Sequence, residues 1–543
     1  MFKLEFMSIL FKLKNHRILK KQTVAEATIL MTTTLFLGKF IAYFREVLVA
    51  KYFGATGETD AFLVALIIPT LVMGLVSNGL SNLIVPVYIE KRKKDREKAK
   101  IFVNQIFLLW SIILLGVSLL ILFFTPFFVK LTAFGFKGER LGLAVKLTRY
   151  LIPAGFATVL TGLFTGLLQA RKQFLLPTLM GLIGNALIVL SLLLLRPFLG
   201  INSWTIGQLL YAISGFLVLF WVLWQKKGFF RNFLLHNINW AEIKRFFSLL
   251  SPLILISSIS TLSQIIDKTI ASFLQTGSIA VLNFAQKTYA IPLSLLAIPL
   301  ALAIYPTFSS LALEEKKKTD YAKTLEKTLS LLWYIIIPSS FLFITLAQPI
   351  VKILFQRGAF VAQDTNRTAF TVSMYSIGLF AYAANYFLVK VFYSFKNTKT
   401  PLIITTIVVG TNIVGNIILA RILGVAGIGL ATSIAAIVGF LLFLSTLHKK
   451  YFKFSARRPL ASQALKIILA SLPPAIISLF LKPYLSAPLR FFHLAFRFAL
   501  AGLLLVLLYV LLSYLLNLEG FRMIIDYLKK RLLKNQEGNP NEF

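Results

Sequence analysis

Hydrophobic positions along this chain come in long blocks rather than in the alternating or three-to-four spacing of a soluble fold. Stretches of about twenty apolar residues, the length that crosses a hydrocarbon core of ~30 Å, recur about fourteen times: at roughly 24–50, 60–88, 101–126, 145–169, 174–195, 203–224, 246–273, 279–307, 328–347, 368–392, 400–421, 425–447, 460–481 and 491–517. The pattern predicts an all-α, polytopic membrane protein. The opening residues, MFKLEFMSILFKLKNHRILKK, have too short an apolar run and too many cations for a cleavable signal, and read as an amphipathic cytoplasmic lead-in over 1–23.

Polar positions between the blocks alternate in charge. KRKKDREKAK at 91–100, ARK at 170–172, QKKGFFR at 225–231, EEKKKTDYAK at 314–323, HKKYFKFSARR at 448–458 and the tail from Lys529 are strongly basic, whereas GATGETD and LQTGSIA are nearly bare. The positive-inside rule places the basic loops and both termini in the cytoplasm, as expected of a multi-pass protein of a bacterial inner membrane. These loops absorb most of a net charge of +37 from 57 Lys plus Arg against 20 Asp plus Glu. Contact with membrane lipids, not with nucleic acid, is the expected role of that charge.

The blocks also repeat. Lys172 precedes Pro177 as Lys396 precedes Pro401, and Pro69 and Pro86 are matched by Pro292 and Pro306, all at a spacing of about 220 residues. Six spans fill such a unit, and an even number leaves the second copy parallel to the first. The expected organisation is an N-lobe over 24–227, a C-lobe over 228–450, two further helices over 451–520 and a cytoplasmic tail over 521–543.

Against this background the charges inside spans stand out. Lys39, Arg45 and Glu46 fall in the first span, Asp267 and Lys268 in the seventh, and Lys287 in the eighth. A charge at mid-membrane costs from ~3 to more than 10 kcal/mol, so it faces water or a partner. Lys39 and Glu46 fall on nearly the same helical face, with Arg45 one position round. Arg45 either snorkels outward beside Glu46 or lines a cavity. A cavity holding Lys39, Arg45 and Lys287, softened by Glu46 and Asp60, would suit an anion, and phosphate or diphosphate best.

The run GKFIAYFREVLVAKYFGATGETDAF at 38–62, with ASFLQTGSIAVLNFAQKTYAIP at 271–292, KILFQRGAF at 352–360 and FYSFKNTKTP at 392–401, resembles the MurJ (MviN) family of lipid II flippases, in the multidrug/oligosaccharidyl-lipid/polysaccharide transporter superfamily. The resemblance runs almost end to end. It implies fourteen helices, two lobes around a central cavity, and a lateral groove of the last two helices for a polyprenyl tail. By position, the family's diphosphate-binding residues fall on Lys39, Arg45, Met73 and Lys287, with Glu46 and Asp60 as companions. The chain departs in carrying Lys at 39 and 287 and Met at 73 where the family pattern has Arg, and Asn78-Gly79 where it has Glu-Gly. Met73→Arg is therefore expected to restore a cationic donor.

Oxygen ligands suggest a second site. Asn412 and Asn416 share a helical face, with Thr432 in the next span and Asp267 in the seventh. The resemblance implies a sodium site of these residues, with a backbone carbonyl at Ile428. Helix–helix hydrogen bonding is the competing reading of the Asn pair. No other cofactor is expected, and Na+ would be a coupling ion.

The chain has no cysteine and no Walker loop, H-E-x-x-H or Gly-x-Ser-x-Gly motif, which argues against thiol chemistry, ATP hydrolysis and these hydrolase classes. The expected function is a flippase, not an enzyme, that moves lipid II from the cytoplasmic to the outer leaflet by alternating access, acting as a monomer. The alternatives are a flippase for another undecaprenyl-diphosphate-linked oligosaccharide, a drug/cation antiporter, and a membrane glycosyltransferase resting on Glu58 and Asp60. An antiporter would want an acidic cavity and about twelve spans.

Overall fold

The computed structural model describes residues 24–226, 228–230, 239–312, 318–451, 458–486 and 491–536. The lead-in at 1–23 and parts of four basic segments, at 227 and 231, 314–317, 452–457 and the end of the tail, lie outside the described residues. Helices run as α1 Val24–Phe53, α2 Gly57–Lys94, α3 Arg96–Phe123, a short α4 Thr125–Thr132, α5 Gly138–Ala170, α6 Leu175–Leu199, α7 Asn202–Gln225 and α8 Trp240–Ser272. They continue as α9 Ser278–Leu311, α10 Lys318–Thr345, a short α11 Ala347–Phe355, α12 Ala362–Ile377, α13 Leu379–Ser394, α14 Lys399–Leu423, α15 Val425–Lys450, α16 Arg458–Ser486, α17 Phe491–Leu515 and α18 Glu519–Gln536.

Among the described residues, 11 helices are long and apolar enough to cross a membrane, or 12 when α12 and α13, bent by 50°, count as one span. Helices α1 and α8, 30 and 33 residues long, occupy the two remaining expected segments. Large apolar side chains face outward: Leu194 is 65% exposed, Phe198 82% and Phe480 74%, the surface that a lipid solvent favours. Between helices the chain saves its loops by capping. Asp95, for example, starts α3 by accepting from the N–H groups of Glu97 (2.9 Å) and Lys98 (3.1 Å). These bonds hold its carboxyl below the usual carboxylate range.

The internal repeat is visible in backbone detail that side-chain patterns cannot report. Helix α5 ends at Lys172 with φ +60°, where the Lys172 N–H donates to Gln169 O and the Gln173 N–H to Leu168 O, both 2.9 Å. Helix α13 ends in the same way at Lys396 with φ +55°, through Lys396 N–H to Tyr393 O (2.9 Å) and Asn397 N–H to Phe392 O (3.1 Å). Both are paired left-handed helix terminations. The following helix in each copy stops at a glycine with positive φ, Gly200 and Gly424. A π-helical stretch interrupts α2 at Ile67–Val72 and α9 at Leu293–Ala297, beside the matched Pro69 and Pro292.

The chain divides into two compact units, Met1–Ile279 and Ala280–Phe543. The first therefore keeps α8, which the repeat spacing assigns to the second lobe by a boundary at 227/228. The reason lies at both ends of α8. Its first half places Ile243, Phe246 and Leu250 in the core of the first unit, with Phe102, Trp110 and Phe229. At its other end Thr269 Oγ1 donates to Thr132 O (2.8 Å), Lys268 Nζ to Leu63 O (3.3 Å), and Ser272 Oγ accepts from the Gly135 N–H (3.0 Å). The second unit is built around Phe308, Leu332, Trp333, Phe387 and Phe440. The segment expected as a tail supplies α18, which is docked on that core: Leu518 is fully buried, and a methyl group at Gly520 would meet Tyr334 Cβ at 2.6 Å.

Candidate functional site

Residue Arg45 is not a snorkelling cation. Its side chain is only 19% exposed and its guanidinium is shared between two acceptors, Glu46 Oε1 at 2.6 Å and Asn185 Oδ1 at 2.8 Å. Asn185 is itself fixed, donating from Nδ2 to Gly181 O at 2.8 Å on α6. Two charge-assisted bonds from one fork set the direction of the guanidinium before any ligand arrives. Glu46 is 4% exposed, so its charge serves the protein interior. Lys39, two turns earlier on α1, is exposed. Asn185 carried no sequence signal, because an isolated Asn in an apolar block reads as a helix-packing polar.

The acidic companion Asp60 has a different occupation. It is 1% exposed, and its Oδ2 accepts from the Gly277 N–H at 2.7 Å and lies 3.6 Å from Arg140 Nη1. Arg140 also donates to Ser272 O (3.4 Å) and stacks over the Phe136 ring. The pair ties the start of α2 to the α8–α9 turn, so Asp60 helps to fix the fold of the first unit. Met73 is likewise a core residue, 4% exposed and grouped with Ile68, Leu80 and Ile152. A charge introduced at that position by Met73→Arg would have to be desolvated, at a cost that only a partner for it offsets.

The second unit holds Lys287, exposed on α9. Its neighbours form an aromatic wall that sequence reasoning missed: Tyr289 stacks on Tyr375 at 4.5 Å, and the Tyr375 hydroxyl accepts from Gln286 Nε2 at 3.2 Å. The same unit brings together four of the five expected sodium ligands. Asn416 Nδ2 donates to Asn412 Oδ1 (3.2 Å), Asn412 Nδ2 to Thr432 Oγ1 (3.1 Å), and Thr432 Oγ1 to Ile428 O (3.0 Å). Asp267, the fifth, is buried on α8 in the first unit. A third feature of the second unit is an apolar groove of about 450 Å³ among α10, α16, α17 and α18, lined by Tyr334, Pro338, Pro474, Leu505, Tyr509 and Ile524.

The family model described as "Lipid II flippase MurJ" matches residues 49–500. The chain belongs to the MurJ family. A probable lipid II flippase MurJ of Rickettsia prowazekii is 29% identical over 420 residues, 76% of this chain and 82% of that protein. The lipid II flippase MurJ of Thermosipho africanus is 29% identical over 419 residues, 77% of this chain and 84% of that one. Among solved structures, a lipid II flippase MurJ in an inward closed conformation superposes with a TM-score of 0.76 at 27% identity, over 92% of this chain and all of that one. An inward-facing MATE transporter of the MOP superfamily shares the fold at 17% identity and a TM-score of 0.62, over 79% of this chain and 99% of its own. Within this family, the chain holds Arg45 as an oriented guanidinium and Met73 as a buried side chain.

The contrast between Arg45 and Asp60 is testable. Asp60→Ala leaves the buried Gly277 N–H without its acceptor, which costs about 1–3 kcal/mol, while Asp60→Asn keeps an acceptor and costs less. Thermal unfolding in detergent is expected to rank wild type above Asp60→Asn above Asp60→Ala. Unchanged stability in both variants, with a changed affinity for a polyprenyl diphosphate, would instead put Asp60 in the binding site.

Proposed function

We propose that this protein is a flippase that moves lipid II from the cytoplasmic to the outer leaflet of a bacterial inner membrane by alternating access, with both termini in the cytoplasm. The observation that carries the reading is Arg45, a guanidinium oriented inside a membrane helix by Glu46 and Asn185 in a chain of the MurJ family. Lys39 and Arg45 of the first unit are the cations assigned to the diphosphate, and Lys287 of the second is the further cation that the resemblance implies. Arg offers two parallel donors to adjacent phosphate oxygens, and the lysines act as point charges. The groove among α10, α16, α17 and α18 has the apolar lining that a polyprenyl tail needs. The protein acts as a monomeric transporter and not as an enzyme. Other undecaprenyl-diphosphate-linked oligosaccharides share the anion and the tail, so the glycan is what separates them from lipid II. The MATE likeness is one of fold alone, and a drug/cation antiporter is disfavoured by the cationic set.

Sodium is the coupling ion we propose. Amide, hydroxyl and carbonyl oxygens of Asn412, Asn416, Thr432 and Ile428 are neutral hard donors already gathered in one place in the second unit.

Two experiments test these readings. Native mass spectrometry of purified protein with lipid II is expected to show bound lipid, and Arg45→Ala and Lys287→Ala are each expected to weaken it about a hundredfold, the equivalent of ~2.7 kcal/mol. Retained affinity in both variants would exclude the diphosphate assignment. For the ion, wild-type protein is expected to melt at a higher temperature in NaCl than in KCl, and Asn412→Ala or Thr432→Ala to abolish the difference. Indifference of the wild type to sodium would leave these side chains as helix-packing groups.

A further inference from the structure

Inside the first unit, α2, α5, α6 and α7 line a half-open pocket of about 240 Å³ that no part of the diphosphate or sodium reading uses. Its lining carries no charge. Some of its hydroxyls are committed to the protein: Ser77 Oγ donates to Thr158 O (2.9 Å), and Thr158 and Thr161 each donate to their own helix at 2.7 Å. Four others are not. The side chains of Asn78, Ser81, Thr165 and Tyr211 line the pocket and make no hydrogen bond among the described residues. A carboxamide, two hydroxyls and a phenol converging without partners in a membrane-embedded lobe imply hydration or a polar guest.

Space has been kept for that guest. A methyl group added at Gly181 would meet nothing within 4 Å, and one at Gly215 only Thr161 Cγ2 at 3.8 Å. The pocket also adjoins the oriented cation, because Gly181 O accepts from Asn185, which accepts from Arg45. Neutral donors and acceptors with one aromatic ring suit a polyol or acetamido sugar rather than an ion. The volume lies below the ~300–1,000 Å³ of pockets for drug-sized ligands, so it holds one ring and not an oligosaccharide.

We infer that this pocket binds the first sugar of the cargo, the one bonded to the diphosphate, through Asn78, Ser81, Thr165 and Tyr211. The inference rests on the flippase reading above and adds where the glycan is read. The test compares two probes by native mass spectrometry: a polyprenyl diphosphate without sugar and the same lipid carrying one N-acetylhexosamine. Wild-type protein is expected to bind the glycosylated probe about tenfold more tightly, as two well-placed hydrogen bonds would give. Gly181→Leu, which fills the pocket, is expected to bind both probes equally, at the wild-type affinity for the bare lipid, and the Thr165→Val, Tyr211→Phe double variant, which removes two of the four unpaired groups, to lose most of the preference for the glycosylated probe. Equal affinity of the wild type for the two probes, or full preference in a double variant that melts normally, overturns the inference. Failure of the wild type to bind either probe overturns the flippase reading itself.

Discussion

A guanidinium cannot stand alone in a helix that crosses a bilayer. The desolvation of Arg45 has to be met by acceptors, and the protein meets it with one neighbour in sequence and one from another helix, Glu46 and Asn185. That requirement joins α1 to α6, fixes the rotation of both, and leaves the cation aimed rather than free. The same rule explains Asp60, whose carboxylate is buried only because Gly277 and Arg140 meet it. The two ion pairs do different work from the same physics: one poises a charge for a ligand, the other closes a turn.

Helix packing inside each unit depends on small residues, as expected where lipid tails are as apolar as leucine. A methyl group at Gly162 would lie 2.3 Å from Ser77 Oγ, one at Gly184 2.2 Å from the Tyr211 ring, and one at Gly415 2.9 Å from Ala431 Cβ. Close approach of α2 to α5 and of α6 to α7 is what brings hydroxyls from separate helices to one pocket. Where glycine instead faces open space, as at Gly181, the packing leaves a cavity.

Much of this was legible in the residues. Apolar block length predicts the spans, and the matched prolines predict a repeat whose backbone signature appears at Lys172 and Lys396. The resemblance carried the family, and Arg45 was visible as a charge in the wrong solvent. Three things were not legible. Asp60 and Arg140 are 80 residues apart in sequence, so their pairing has no local pattern. Met73 occupies a position that family comparison reads as a lost donor, while burial makes it a core side chain. The placement of α8 in the first unit follows from hydrogen bonds at its end, which spacing of hydrophobic blocks does not encode.

The central claim is that an oriented cation set handles a diphosphate lipid across a membrane. It is tested most directly by outer-leaflet lipid II in bacterial cells depleted of their own flippase. Expression of the wild-type chain is predicted to restore lipid II that an externally added enzyme can cleave, and the Arg45→Ala, Lys287→Ala double variant, present at equal amounts in the membrane, to leave it inaccessible. Restoration by the double variant to the wild-type level would contradict the account.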